Sequence, residues 1–402
     1  MTGSRTATWL DRPWAMDRST GIMYDIDAPD VHVLRATYAR FLAQRPDDAV
    51  NSRLSPDFLR WERIPEAERA AHADRVITFD PALPNADPAG YLAERVLDRY
   101  SNLPFKVVVG PRSVATFTNH MLGDGTTFSR VNAGAVTNDF ATWAAFEPRA
   151  RLGQLRPAAL RGARKHGRQW AHIARAGSPA LAPGSSDGPD PVTGAVGITM
   201  TREEFAATNT WRKQALPGVG LTAIYTSAYL LALRAEGVAA ESHAFHVLID
   251  ARRYLPEAQR AVAGNLSKSL LVETDVADPA AVQAAIGEAV SVERVVPAII
   301  QGSVTTGLKR IDGRERTHSR GPIVLSVSSM PSLPGREAAP WIDPDDAHYV
   351  GFGYSPVDTG ASCFAVGISG RVEFTMSFDR HTIDPAVARR AIERLHDLPS
   401  LF

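Results

Sequence analysis

The chain has 402 residues, beyond the size at which one hydrophobic core ordinarily keeps growing, so two domains or two halves are expected. Its 44 Lys and Arg balance 44 Asp and Glu, which excludes a protein built mainly to neutralise nucleic-acid phosphates, and 44% hydrophobic residues suffice for substantial cores. The one cysteine, Cys363, excludes an intrachain disulfide framework and a multi-cysteine zinc site.

In chain order, residues 29–44 put Val33, Leu34, Tyr38, Phe41 and Leu42 at helical spacing behind Asp30, a fair N-cap. Residues 59–64 and 75–79 read as short strands, and residues 88–100 as a second amphipathic helix. Two apolar runs then meet at Gly110-Pro111. The second, residues 113–121, alternates like a half-buried strand and stops at Gly123-Asp124-Gly125. It delivers His120 beside a tight Asp-Gly turn. Such a turn either leaves room for a substrate next to a rigidly held base or simply reverses the chain near an interior histidine. A helical stretch runs on to about residue 146. Residues 149–175 then carry eight Lys and Arg and no acid, with Leu155, Leu160, Trp170 and Ile173 offering an apolar side. This predicts an amphipathic helix whose basic face is either solvated or a docking surface for phosphates, an acidic carrier protein or anionic lipid.

Residues 177–194 are rich in Pro, Gly, Ser and Asp without any period, so a linker over 181–194 is predicted between an N-terminal half, 1–180, and a C-terminal half, 195–402. Inside it, residues 184–188 match G-x-S-x-G, but prolines flank the match where a nucleophile elbow needs a strand and a helix. The second half opens with a strand at 195–200 and a helix capped by Thr201 with Glu204 as reciprocal partner. An apolar helix over 221–235 ends at Gly237. On the strand at 243–249, His243 and His246 point to opposite faces and cannot share a metal. Further strands are predicted at 267–273, 322–329, 349–354, 361–368 and 372–379. Helices are predicted at 279–296 behind Asp278 and at 384–395. No dinucleotide fingerprint or Walker sequence is present. Each half mixes strands and helices, as in an α/β or α+β layered fold, duplicated.

The spacing His-x-x-x-Asp-Gly, at His120, Asp124 and Gly125, resembles the chloramphenicol acetyltransferase-like superfamily, which includes nonribosomal condensation domains, BAHD acyltransferases, polyketide-associated acyltransferases and wax ester synthases. Order along the chain supports the resemblance, which spans roughly residues 29–395. Residues 250–256 with Gly264-Asn265 are similar to that superfamily's D-x-R…GN segment. Ser328-Ser329-Met330-Pro331 looks like its Ser-rich strand end near the active site, and residues 351–354 sit where BAHD enzymes carry Asp-Phe-Gly-Trp-Gly. The chain departs from the pattern at Asn119, where many members have a first histidine, and at Gly351 and Ser355 in the BAHD-type segment. His381 is similar to the catalytic end of dihydrolipoyl acyltransferases with the spacing one residue short, and reads as a structural echo.

The resemblance implies an α/β (mixed α+β sandwich) fold of two pseudo-symmetric halves, each with a mainly antiparallel sheet, around a central tunnel that holds His120. It implies acyl transfer from a thioester, acyl-CoA or the phosphopantetheine arm of an acyl carrier protein, to a hydroxyl or amine of a small-molecule or lipid acceptor. His120 would be the general base, with no covalent acyl-enzyme, no metal and no tightly bound cofactor. Asp124 would pair with an arginine that keeps the turn in place, Gly125 would let backbone approach substrate, and Ser328 or Ser329 would stabilise the oxyanion. If the basic helix lies near the donor mouth, Arg161, Arg164 and Arg168 would hold donor phosphates or a carrier helix. The alternatives are a free-standing condensation-type enzyme joining carrier-bound intermediates and a non-catalytic member that binds acylated partners. With no signal-peptide core and no membrane-spanning run, a soluble cytoplasmic protein is expected, peripheral membrane contact remaining open.

Overall fold

The computed structural model describes residues 3–15, 17–83, 86–95, 101–140, 149–176, 192–308, 321–353 and 360–402. The first part of the chain forms β1 (Ser4–Thr6), β2 (Arg18–Tyr24), α1 (Val31–Gln44), β3 (Ser52–Leu54), β4 (Arg60–Arg63), α2 (Arg69–Val76), β5 (Ile77–Phe79), α3 (Pro88–Glu94), β6 (Phe105–Val109), β7 (Ser113–Asn119), α4 (Gly125–Thr137) and α5 (Arg156–Ala176). The second part forms β8 (Thr193–Met200), α6 (Arg202–Ala215), α7 (Leu221–Ala235), β9 (Ala244–Asp250), β10 (Ser267–Glu273), α8 (Pro279–Ser291), α9 (Val295–Leu308), β11 (Val324–Met330), β12 (His348–Gly353), β13 (Gly360–Ile368), β14 (Arg371–Asp379) and α10 (Pro385–Glu393).

Two sheets organise the molecule. The first, in the order β12-β2-β7-β6-β5, is antiparallel except for the β5/β6 pair. The second, in the order β10-β9-β11-β13-β14-β8, is more mixed than expected, because β11 runs parallel to both its neighbours. A small antiparallel sheet, β1-β4-β3, lies beside them. The fold is thus mixed α/β, and β12, which comes late in the chain, completes the first sheet by pairing Gly351 with Gly21.

Local chemistry accounts for most elements. Asp30 caps α1 through the amides of His32 and Val33, and Thr201 with Glu204 closes a reciprocal capping box on α6. On β14, Phe374, Met376 and Phe378 enter the core beneath α7 and α10, while Glu373, Thr375 and Ser377 turn toward the first sheet. That alternation leaves β14 a polar face that meets the first sheet, where the Ser377 hydroxyl donates to the Gly353 carbonyl at 2.8 Å.

Four expectations are corrected. Residues 75–79 are not one strand. Helix α2 runs to Val76, burying His72, Ala73 and Val76 at helical spacing, and only Ile77–Phe79 pairs with β6. Residues 279–296 are two helices, broken where Glu293 takes a positive φ of 52°. The strand expected over 113–121 ends at Asn119, and α4 stops at Thr137 because Asn138 adopts the left-handed conformation that closes a helix. Residues 96–100 and 141–146 of the expected helices, most of the expected linker with its G-x-S-x-G match, and Tyr354 and Ser355 lie outside the described residues.

Candidate active site

The site begins at the end of β7. Asn119, fully buried, accepts a hydrogen bond from the amide of Met121 (2.8 Å), which caps a short 3-10 turn, His120–Leu122. His120 therefore opens a turn rather than riding on the strand. Gly123 follows with φ 153°, and a Cβ there would lie 2.0 Å from Thr127 Oγ1, so only glycine fits. From behind, Arg149 donates to the carbonyls of Met121 (2.8 Å) and Leu122 (2.9 Å), and its guanidinium grips both carboxylate oxygens of Asp11 at 2.8 and 3.2 Å. Both partners are buried, so the turn rests on a desolvated, two-pronged ion pair.

Three unlike contacts hold the imidazole. Trp14 stacks on it at 4.2 Å and 12°, Phe128 meets it edge-on at 4.8 Å, and Nδ1 lies 3.1 Å from Asn265 Oδ1. Asn265 is oriented in turn, because its Nδ2 donates to the His120 carbonyl (2.8 Å) and to Asp11 (3.3 Å). With the amide nitrogen committed to those oxygens, its Oδ1 is the acceptor. Nδ1 then carries the proton and Nε2 is left with its lone pair. Burial lowers the imidazole pKa from its ordinary 6.5, an effect opposed by Asp17, by the Asn265 contact and by Asp124. The neutral form, the one that accepts a proton, is favoured.

Asp124 stands at the N-cap position of α4 but does not cap it. Its Oδ2 instead receives Arg252 Nη1 at 2.5 Å, the Leu266 amide at 3.1 Å and the Ser267 hydroxyl at 3.3 Å. Arg252 also donates to the carbonyls of Val262 (3.2 Å) and Gly264 (2.9 Å). The carboxylate thus spans from the turn after β7 to the segment before β10 and faces away from open space. Arg252 is the arginine partner that sequence reasoning left unnamed. A Cβ on Gly125 would touch nothing within 4 Å, so this position borders free volume.

That volume is a cavity of about 670 Å³ lined by His120, Gly125, Ser328 and Ser329. Toward the first sheet its wall carries Thr116, Thr118, Ser129, Asn132 and Tyr349, with the Thr116 hydroxyl donating to Asn132 Oδ1. Ser326, Ser328 and Met330 share one face of β11, opposite the core-facing Leu325 and Val327. Arg161, Arg164 and Arg168 lie on α5 and do not line the cavity. Arg161 is paired with Glu293 (3.3 Å) and donates to the Tyr254 carbonyl (3.1 Å), while Arg164 and Arg168 are exposed. The exposed Arg253 does line it. His381 is exposed and lines no part of it. His246 contacts Ser269 Oγ at 3.3 Å, and among the described residues no group of three or more His, Cys, Asp or Glu could hold a metal. No described helix is long and apolar enough to cross a membrane.

Sequence reasoning named His120, Asp124, Gly125 and the two serines but gave no role to Trp14, Asp11, Arg149 or Phe128. Arg252 and Asn265 lay inside segments already singled out. Their spacing from Asp250 and Gly264 was the available signal.

No family model matches the sequence, and no curated protein does. Solved structures do match in fold. The trichothecene 15-O-acetyltransferase TRI3 from Fusarium sporotrichioides aligns with a TM-score of 0.65 at 10% identity, over 99% of this chain and 95% of its own. The condensation domain from the monacolin K polyketide synthase MokA aligns at 0.57 and 12% identity, over 100% and 97%. Polyketide synthase associated protein 5 from Mycobacterium tuberculosis aligns at 0.56 and 15%, over 98% and 97%. The chain therefore has the chloramphenicol acetyltransferase-like, condensation-domain fold, along essentially its whole length.

Proposed function

We propose that the protein is an acyltransferase that moves an acyl group from a thioester, on CoA or on a carrier's phosphopantetheine arm, to a hydroxyl or amine, with His120 as general base. The observation that carries this reading is the arrangement of His120: Nδ1 engaged by Asn265, Nε2 left as acceptor, and a neutral ring favoured by burial, at the wall of a cavity. A thioester is already activated, so the protein's tasks are to align two reactants, accept the nucleophile's proton as the C–O or C–N bond forms, and steady the oxyanion until the thiolate leaves. The proton taken by Nε2 passes to the departing sulfur, which returns the ring to its starting state. The hydroxyl- and amide-lined wall near Thr116, Thr118 and Asn132 suits a polar acceptor, and Ser328 supplies the oxyanion donor from the cavity face of β11.

A carrier-dependent condensation is the second reading, favoured by the likeness to the MokA condensation domain. Release of free thiol from acyl-CoAs and acyl carrier proteins, with alcohol and amine acceptors present, tests both. Acceptor-dependent release that falls on the order of 10²- to 10⁴-fold in His120→Ala is the expected result, and a strict need for the carrier selects the second reading. Equal acceptor-dependent release by wild type and variant would overturn the assignment of the base, and no release by either while acylated donors still bind would leave a protein that binds acylated partners without turnover.

A further inference from the structure

Strands β9 and β11 are neighbours in the second sheet, yet they pair at two positions only, Ser326 with His246 and Val327 with Val247. Each goes on pairing along its other side, β9 with β10 as far as Asp250 and β11 with β13 as far as Met330. Past Val247 and Val327 the two continue in the same direction with no ladder between them, and the sheet opens as a slot. Leu248, Ile249 and Asp250 line the cavity from one edge of this slot, and Ser328, Ser329 and Met330 from the other.

Successive residues of a strand point to opposite faces, so a cavity lying against one face touches every second residue. Consecutive residues on both edges line this one, which is the pattern of a cavity that passes through the sheet. On the far side it is bounded by Ile286 and Val290 of α8, with Gln283 of the same helix and Thr222 of α7. Those helices cover the face into which Val247 and Ile249 point, opposite the face that carries Ser267 and the Asp124 contact. The molecule thus holds two unlike compartments on either side of one sheet, a hydroxyl-lined one toward β7 and α4 and one walled largely by aliphatic side chains under α8.

We propose that the compartment beyond the slot receives the hydrocarbon chain of the donor's acyl group, so that the protein acts on medium- or long-chain acyl thioesters in preference to acetyl. This rests on the acyl-transfer reading above. The reacting carbonyl must lie beside His120, and a thin unbranched chain is the acyl shape that can thread a gap between two strands. Its methylenes gain from contact with Val247, Ile249, Ile286 and Val290, at about fourfold in binding for each one fully buried. A polar acceptor gains nothing there and is directed to the other compartment.

Pantetheine thioethers, which cannot turn over, separate binding from chemistry. Calorimetry with the octyl and ethyl thioethers is expected to give at least a tenfold preference for octyl in the wild type. That preference should fall at least tenfold in Ile286→Trp and in Val290→Trp, each of which fills the compartment. Equal affinity for the two thioethers, no binding of the octyl compound, or a preference that survives both substitutions would overturn the proposal. A crystal structure of the wild type with the octyl thioether supplies a test free of folding defects. The chain should lie between Leu248 and Ser328, and a chain found elsewhere overturns the assignment. Octyl binding through the slot without thiol release from octanoyl-CoA or octanoyl carrier protein would uphold the compartment and sink acyl transfer. Release with the chain located elsewhere would do the reverse.

Discussion

His120 is held by a face, an edge and a hydrogen bond, and each contact has a separate consequence. The Asn265 contact sets the tautomer, so Asn265→Leu should lower kcat by ten- to a hundredfold while leaving KM within a few fold, a split a merely structural lesion would not give. Burial acts on the titration. The folded pKa lies below the ordinary 6.5, so the basic form persists as pH falls through 6.5, and the acid limb of kcat/KM should lie below that value. The sign for stability is the same: the unfolded chain binds the proton more readily, so stability drops as pH falls from 6.5 toward the folded value. A limb found above 6.5 would contradict the account. At this scale the sequence made His120, Asp124 and Gly125 legible because their spacing is local. Trp14, Asp11 and Arg149 carry no local signal. Asp11 meets Arg149 across 138 positions, and nothing in a polar amino-terminal stretch marks it as half of a buried pair.

Among the elements, α4 is tied to the segment before β10 by Asp124 and Arg252, both nearly inaccessible to water. Removing Asp124 leaves Arg252 only the half-exposed Asp250, at 3.3 Å, as an ionic partner, so the loss should approach the ~3–5 kcal/mol typical of a broken buried pair. Asp124→Ala should therefore lower unfolding free energy by about that much in chemical denaturation, and Asp124→Ala with Arg252→Met should recover part of the loss. Recovery in the double variant distinguishes a stranded charge from a lost helix contact. Element boundaries were legible wherever capping or alternation was clean, as over Leu221–Ala235 and Ser267–Glu273, which match expectation residue for residue. They failed where an interior signal was overridden. Hydrophobic spacing ran straight through residue 293, but the backbone there reverses sign of φ and starts a new helix.

Over the whole molecule, a compact polar cluster fastens the two sheets to each other. His348 on β12 lies 3.0 Å from Glu373 on β14 and stacks on Tyr24 of β2 at 4.8 Å. Asp346 and Arg371 stand alongside, and Thr199 donates to the same buried glutamate at 2.7 Å. The Glu373 contact raises the His348 pKa above 6.5, burial opposing it. A raised histidine pKa contributes stability that is fully present below the unfolded value of 6.5 and is lost as pH rises through the folded value. The thermal midpoint should accordingly decline with rising pH above 6.5, and Glu373→Gln should flatten that decline. A midpoint insensitive to pH in the wild type would remove His348 from this role. The mixed α/β architecture was legible in the alternation of strands and helices. The exchange of β12 into the first sheet was not, because nothing within His348–Gly353 says which sheet it will join.

That exchange also fixes an order of events during synthesis. Strand β2 ends at Tyr24, yet the neighbour that covers its outer edge, β12, is not translated until the ribosome reaches His348. Until then a nascent chain carries a row of unpaired amides and carbonyls beside Gly21 and Ile22, a template on which two unfinished copies can join. Chains stopped short of residue 348 should accumulate as aggregates, and correct folding should depend on whatever shields that open edge until β12 has been made.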